Sequence, residues 1–158
     1  MKIFIKNRFL LFLFVFLLLL PQTTFTQQPN GRYTIVIHGG AGSLDSNIDE
    51  SEKQSYLNSL SSALNIGKKI LEDGGNSLDA VEQVIRYLED DSLFNAGRGA
   101  VFTSAGTVEL DASIMDGRDL SSGAVAGVTI IKNPISLARL IKEKTSHVLF
   151  AGKGADEL

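Results

Sequence analysis

The stretch Glu109-Leu110-Asp111-Ala112-Ser113-Ile114-Met115-Asp116-Gly117, followed after five residues by Gly123-Ala124-Val125-Ala126-Gly127-Val128-Thr129-Ile130-Ile131, decides how this chain folds. Val108 to Met115 reads as a strand, and Asp116-Gly117 is the turn signal that closes it. Gly123 to Ile131 is small and β-branched throughout, the composition of a strand covered on both faces by other layers. Alternation places Glu109 and Asp111 on one face of the first strand. With Asp116 they serve strand packing and the turn rather than paired acid-base chemistry, so no glycosidase is implied.

Downstream, Asn133-Pro134 predicts a helix start, with Asn as N-cap and Pro at the first helical position, followed by Leu137, Leu140 and Ile141 on one side. His147 to Ala151 reads as a short strand, and Ala155 to Leu158 as a helix start. Upstream, Asn95 to Gly99 is a glycine-rich loop leading to Ala100, Val101 and Phe102. Before it, Leu78, Val81, Val84, Ile85 and Leu88 form the apolar stripe of a helix that Asn76 caps and Asp79 favours in its first turn. An earlier helix runs from Glu50 to Leu71 with Leu57, Leu60, Leu64 and Leu71 at helical spacing and Ala63 and Gly67 between them, one face buried, and ends at Gly74-Gly75. Tyr33 to His38 predicts a buried strand running into the Gly39-Gly40 turn. No repeat or linker interrupts this α+β series.

The extreme N-terminus is set apart from the fold. Lys2, Lys6 and Arg8 precede an apolar run from Phe9 to Leu20, closed by Pro21 and a polar segment, which is the pattern of a secretory signal peptide over residues 1–26 with a mature start at Gln27. The competing reading is a membrane anchor, but the run is shorter than the roughly 20 apolar residues that span a bilayer. The expectation is a secreted or periplasmic protein with no membrane attachment after cleavage. Without a cysteine in the chain, lipoprotein processing, disulfides, zinc-thiolate sites and a cysteine nucleophile are all excluded. Removing three basic residues leaves twelve against 18 acidic ones, a net charge near minus six that disfavours nucleic acid as a partner. The 44% hydrophobic content suits burial-driven folding of one unit over residues 27–158.

Six segments in fixed order carry a family resemblance: Ile37-His38-Gly39-Gly40-Ala41-Gly42, Gly74-Gly75-Asn76-Ser77-Leu78-Asp79-Ala80-Val81, Phe94 to Phe102, Glu109 to Gly117, Gly123 to Val128, and Asn133-Pro134 with Ala138-Arg139 and His147-Val148 beyond it. Together they resemble the α-subunit of the isoaspartyl peptidase/plant-type L-asparaginase family of N-terminal-nucleophile hydrolases. The resemblance implies the αββα four-layer sandwich of that class. It also implies a precursor that cuts itself so that a new N-terminal threonine becomes the nucleophile, its α-amine taking the hydroxyl proton. The reaction implied is hydrolysis of β-aspartyl peptide bonds and of L-asparagine. The implied partners are the β-subunit of the same precursor in an (αβ)2 assembly and a small β-aspartyl substrate.

Residue by residue, the resemblance places Gly39 and Gly40 against the active-site threonine, with a simple tight turn as the alternative. It makes Asn95 a support for the nucleophile region, with a plain turn asparagine as the alternative. It makes Leu88, Glu89, Asp91, Phe94, Ala96 and Arg98 main-chain carbonyl donors to a structural sodium ion, and no organic cofactor is implied. Oxygen donors suit such a hard ion. His38 and His147 read as structural residues at strand ends. Gly106-Thr107-Val108 imitates the family's nucleophile motif but sits on the turn just before Glu109, where cleavage would sever a hairpin, so Thr107 is read as a turn residue. The nucleophile is thus expected beyond Leu158, and this chain is expected to be a truncated α-part, inactive alone. Two rival readings are a glycosylasparaginase-type amidohydrolase, against which His38-Gly39-Gly40-Ala41-Gly42 argues, and a truncated non-catalytic protein.

Overall fold

The order of elements follows from where the chain can bury one face at a time. The computed structural model describes residues 33–40 and 47–158, so residues 1–26, for which a signal peptide is expected, and the Ala41-Gly42 part of the first motif lie outside the described residues. Helix α1 spans Glu50–Glu72 and α2 spans Ser77–Asp90, followed by a single 3-10 turn over Gly97–Gly99. Strand β1 (Leu110–Met115), strand β2 (Ser122–Val128), helix α3 (Pro134–Lys144), strand β3 (Leu149–Ala151) and the short helix α4 (Lys153–Asp156) complete the series.

Asn76 caps α2 as its sequence predicts, its side chain accepting from Asp79 N at 2.9 Å. The apolar stripe of α2 is buried at Leu78, Val84 and Leu88, but Val81 lies on the exposed side. On α1 the buried positions are Ser59, Ala63 and Gly67, four apart along one side, so of the predicted stripe the small residues Ala63 and Gly67 take the buried seam and the leucines do not. The small residues let α2 approach closely, as a Cβ on Gly67 would come within 2.8 Å of Val84 Cγ2. Leu60 flanks this seam and Leu57 is exposed.

The sheet has the order β1-β2-β3, with β1 and β2 antiparallel and β2 and β3 parallel. The parallel pair needs a crossover, and α3 provides it. The helix lies so close to the sheet that a Cβ on Gly123 would overlap the carbonyl of Ala138 and the amide of Lys142. Between Leu110 and Ala112 the β1–β2 register slips, and the side chain of Asp111 accepts from Gly127 N at 2.7 Å across the irregularity. Ile141, Val125 and Val128 are fully buried in the cluster between α3 and the sheet, while Ile135 and Ala138 close a second cluster with Leu78 and Ile114.

Three sequence expectations need correcting. Tyr33–His38 is not a strand: Ile35 and Ile37 pack on the α1–α2 pair, Val36 is 85% exposed, and no strand pairs with the segment among the described residues. A β-branched run is extended by its own sterics, but becomes a strand only when another strand bonds to it. Second, β2 ends at Val128 rather than Ile131, its residues alternating between buried and partly buried, and Ile130 beyond it lies out in solvent. Third, the last helix begins at Lys153, two residues before Ala155.

Candidate functional site

The site centres on the loop that leaves the C-terminus of α2. Leu88 and Phe94 are buried, and Phe94 stacks edge-on against Tyr56 of α1 with ring centroids 5.9 Å apart. A Cβ on Gly39 would stand 3.2 Å from Cε1 of Phe94 and 3.1 Å from Leu60 Cδ2. The predicted Gly39-Gly40 turn and the predicted cation loop are therefore brought together. Gly40 N donates to His38 Nδ1 at 3.2 Å, so His38 closes the turn, while His147 packs edge-on against Phe150 at 5.3 Å.

The loop folds back on itself around carbonyl groups. Leu88 O accepts from Asp91 N at 3.3 Å, Asp91 O from Phe94 N at 3.4 Å, Phe94 O from Ala96 N at 2.8 Å, and Ala96 O from Gly99 N at 3.0 Å. Each carbonyl keeps a second lone pair. Gly97, at φ +49°, leaves no room for a Cβ beside the Glu89 carbonyl, and Gly99 leaves none beside the carbonyls of Ser92 and Phe94. A set of main-chain oxygens at the negative end of a helix suits a hard monovalent cation. Among the described residues no group of three or more His, Cys, Asp or Glu side chains suits a metal ion. An open concavity of about 330 Å³ beside the loop is lined by Glu89, Gly97, Arg98 and Lys132 among others.

Asn95 sits on the exposed rim, its Oδ1 accepting from Val101 N at 3.0 Å, which fixes the exit of the loop. Thr107 closes the turn from Thr103: Thr103 N donates to Thr107 O at 2.8 Å and the two hydroxyls share a bond of 2.8 Å. Asp116 is buried at the β1–β2 turn, where the Arg118 guanidinium holds its carboxyl down to about 2. Asp111 and Asp116 thus spend their carboxylates on Gly127 N and on Arg118, as their strand and turn reading requires.

Sequence reasoning missed the side chain of Glu89. The residue is 3% exposed, and Oε1 accepts from Ile135 N at 3.0 Å in the first turn of α3. Burial pushes the Glu89 carboxyl up, against the pull of that amide. Asn133 holds the N-cap position of α3 but makes no capping bond; its amide donates to Asp90 Oδ1 at 3.2 Å. Asp91 Oδ2 accepts from Ser59 Oγ at 2.5 Å and Asp90 Oδ2 from Lys132 Nζ at 3.0 Å, and the Lys132 bond is the main pull that lowers the Asp90 carboxyl. The signal was visible as three consecutive acids at a helix C-terminus, the end that disfavours them. Arg139 was also missed as a hub, reaching Asp79 at 2.7 Å and Glu82 and Glu143 at 2.8 Å each.

The sequence profile of the asparaginase family matches residues 31–158, and the chain belongs to that family. It is 46% identical over 127 residues to the isoaspartyl peptidase of Escherichia coli K12, covering 80% of this chain and 40% of that protein. It is 46% identical over 123 residues to the isoaspartyl peptidase/L-asparaginase of Rattus norvegicus, covering 78% and 36%. Against the plant-type L-asparaginase of Pyrococcus horikoshii the figures are 48% over 121 residues, 77% and 38%. The chain therefore spans about two fifths of the length of the curated relatives it matches.

Proposed function

We propose that this chain is the α-part of an isoaspartyl peptidase/L-asparaginase that hydrolyses β-aspartyl peptide bonds and releases ammonia from L-asparagine. The nucleophilic threonine would come from sequence beyond Leu158, freed by autocatalytic cleavage. The observation that carries the reading is the match of residues 31–158 to the family, with relatives bearing those names at 46 to 48% identity.

In this reading the Gly39-Gly40 turn and Asn95 form one wall beside the nucleophile. The carbonyls of Leu88, Glu89, Asp91, Phe94, Ala96 and Arg98 would hold a sodium ion, whose charge would offset the negative end of α2. Glycines at the turn admit close backbone approach, and Phe94 keeps the turn and loop in contact. The sheet becomes part of an αββα sandwich, a reading supported by the apolar side chains of Val36, Phe102 and Ile130 standing in solvent. Assembly as (αβ)2 and export by a signal over residues 1–26 belong to the same proposal.

The test is hydrolysis of a β-aspartyl dipeptide and of L-asparagine, followed by release of the amino acid and of ammonia. Purified 1–158 is expected to be inactive, and a gene read past the codon for Leu158 is expected to encode an in-frame Gly-Thr-Val-Gly strand and to restore turnover. Turnover by 1–158 alone that Thr107→Ala abolishes would overturn the reading.

A further inference from the structure

Glu89, Asp90 and Asp91 crowd three carboxylates onto the end of α2 where the backbone carbonyls already concentrate negative charge. Such a run destabilises a helix unless each acid finds donors elsewhere. Asp91 finds Ser59 on α1 and Leu93 N at 3.0 Å, and Asp90 finds Lys132 and Asn133. Glu89 is the buried one of the three; Oε1 meets Ile135 N, the Asn133 side chain also pulls on the carboxylate, and the buried Oε2 makes no hydrogen bond of good geometry among the described residues. A carboxylate kept in that state is an expensive way to fill space, since an apolar side chain of similar volume generally serves stability as well or better.

The same residue carries the main-chain carbonyl that Gly97 packs against. A Cβ built on Gly97 would also stand 2.8 Å from the Glu89 Cβ, so the base of the Glu89 side chain and its carbonyl both abut the glycine turn. We propose that Glu89 is a positioning residue, whose side chain lashes the 88–98 loop to the first turn of α3 and so holds the loop in its folded-back shape. What the loop's carbonyls serve rests on the function proposed above; the tether itself rests on the Glu89–Ile135 bond and the Glu89–Gly97 contact.

Amide hydrogen exchange on the full chain separates a tether from a helix cap or a general stabiliser. Glu89→Asp shortens the side chain so that it no longer reaches Ile135 N, and Glu89→Gln keeps an acceptor at that reach. In Glu89→Asp the amides of Ile135, Phe94, Ala96 and Gly99 are expected to exchange about tenfold faster, with α1 unchanged, and in Glu89→Gln to return to the wild-type rates. Acceleration of Ile135 alone would reduce Glu89 to a cap of α3 and overturn the proposal. Equal acceleration of α1 and the loop, or failure of both variants to fold, would overturn it in favour of a global structural role. Recording the wild type in sodium and in choline buffers keeps the two readings apart: loop exchange indifferent to sodium would sink the cation reading and leave the tether standing on the variants.

Discussion

Replacing Gly97 by alanine tests the geometry on which the site depends. Gly97 has φ +49°, a conformation that costs an L-residue about 1–2 kcal/mol. A Cβ there would also stand 2.8 Å from the Glu89 Cβ and 2.9 Å from its carbonyl carbon, so backbone has to move, which adds about 1–3 kcal/mol as overpacking does elsewhere. The expected total is about 3 kcal/mol. Two other glycines calibrate it. Gly106 has φ +76° with nothing within 4 Å of a built Cβ, so Gly106→Ala should show the conformational term alone, about 1 kcal/mol. Gly117 has neither a positive φ nor a neighbour within 4 Å, and Gly117→Ala should be neutral or stabilise by up to about 0.5 kcal/mol through the unfolded chain. Urea midpoints at constant slope read the three differences, and melting points should fall by about 4 °C per kcal/mol. A Gly97→Ala variant no less stable than Gly106→Ala would refute the close approach of the loop to the Glu89 carbonyl.

Other consequences follow from the same structure. Arg139→Met leaves the half-buried Glu82 and its partners without their cation and should destabilise by about 2 kcal/mol; a double-mutant cycle with Glu82→Gln should recover about 1 kcal/mol, and strict additivity would show that the α2–α3 ion cluster is decorative. Arg118 depresses the Asp116 carboxyl from 3.8 to about 2, so its contribution is present above pH 3.8 and is lost as pH falls toward 2; Asp116→Asn should remove the part of acid unfolding that falls in that window, and an unchanged acid limb would contradict the pairing. Ile141→Ala, at a fully buried position of α3, should lower stability by about 3–4 kcal/mol in urea, whereas Val36→Ala should shift it by less than about 0.5 kcal/mol.

Most of the helical framework could be read from spacing and caps, because those signals are local. Asn76 bonds Asp79 N where its sequence places it, and Pro134 sits in the first turn of α3. The face that α1 buries was only half legible: Ala63 and Gly67 stood in the predicted stripe, but so did leucines that lie off the seam. Leucines mark hydrophobicity, but the closeness of α2 selects small residues, so Ser59, Ala63 and Gly67 take the seam and the leucines flank it. Tyr33–His38 failed for a related reason, since strand character belongs to a pair of segments and its β-branched side chains specify only one of them.

The candidate site divides along the same line. Its backbone features were legible: glycines at Gly39, Gly97 and Gly99 announce places where a Cβ has no room, and the structure puts a ring or a carbonyl at each. Its side-chain ties were not, because Glu89 reaches Ile135 across 46 residues of sequence, and Asp91 reaches Ser59 across 32. What the sequence did display was a conflict, three acids at the end of a helix that repels them. Local disfavour of that kind persists only where distant partners reward it, so the partners of Glu89, Asp90 and Asp91 mark the loop as the place where α1, α2 and α3 are tied together. That convergence, rather than any one hydrogen bond, explains why a loop of main-chain oxygens can keep a fixed shape between three helices.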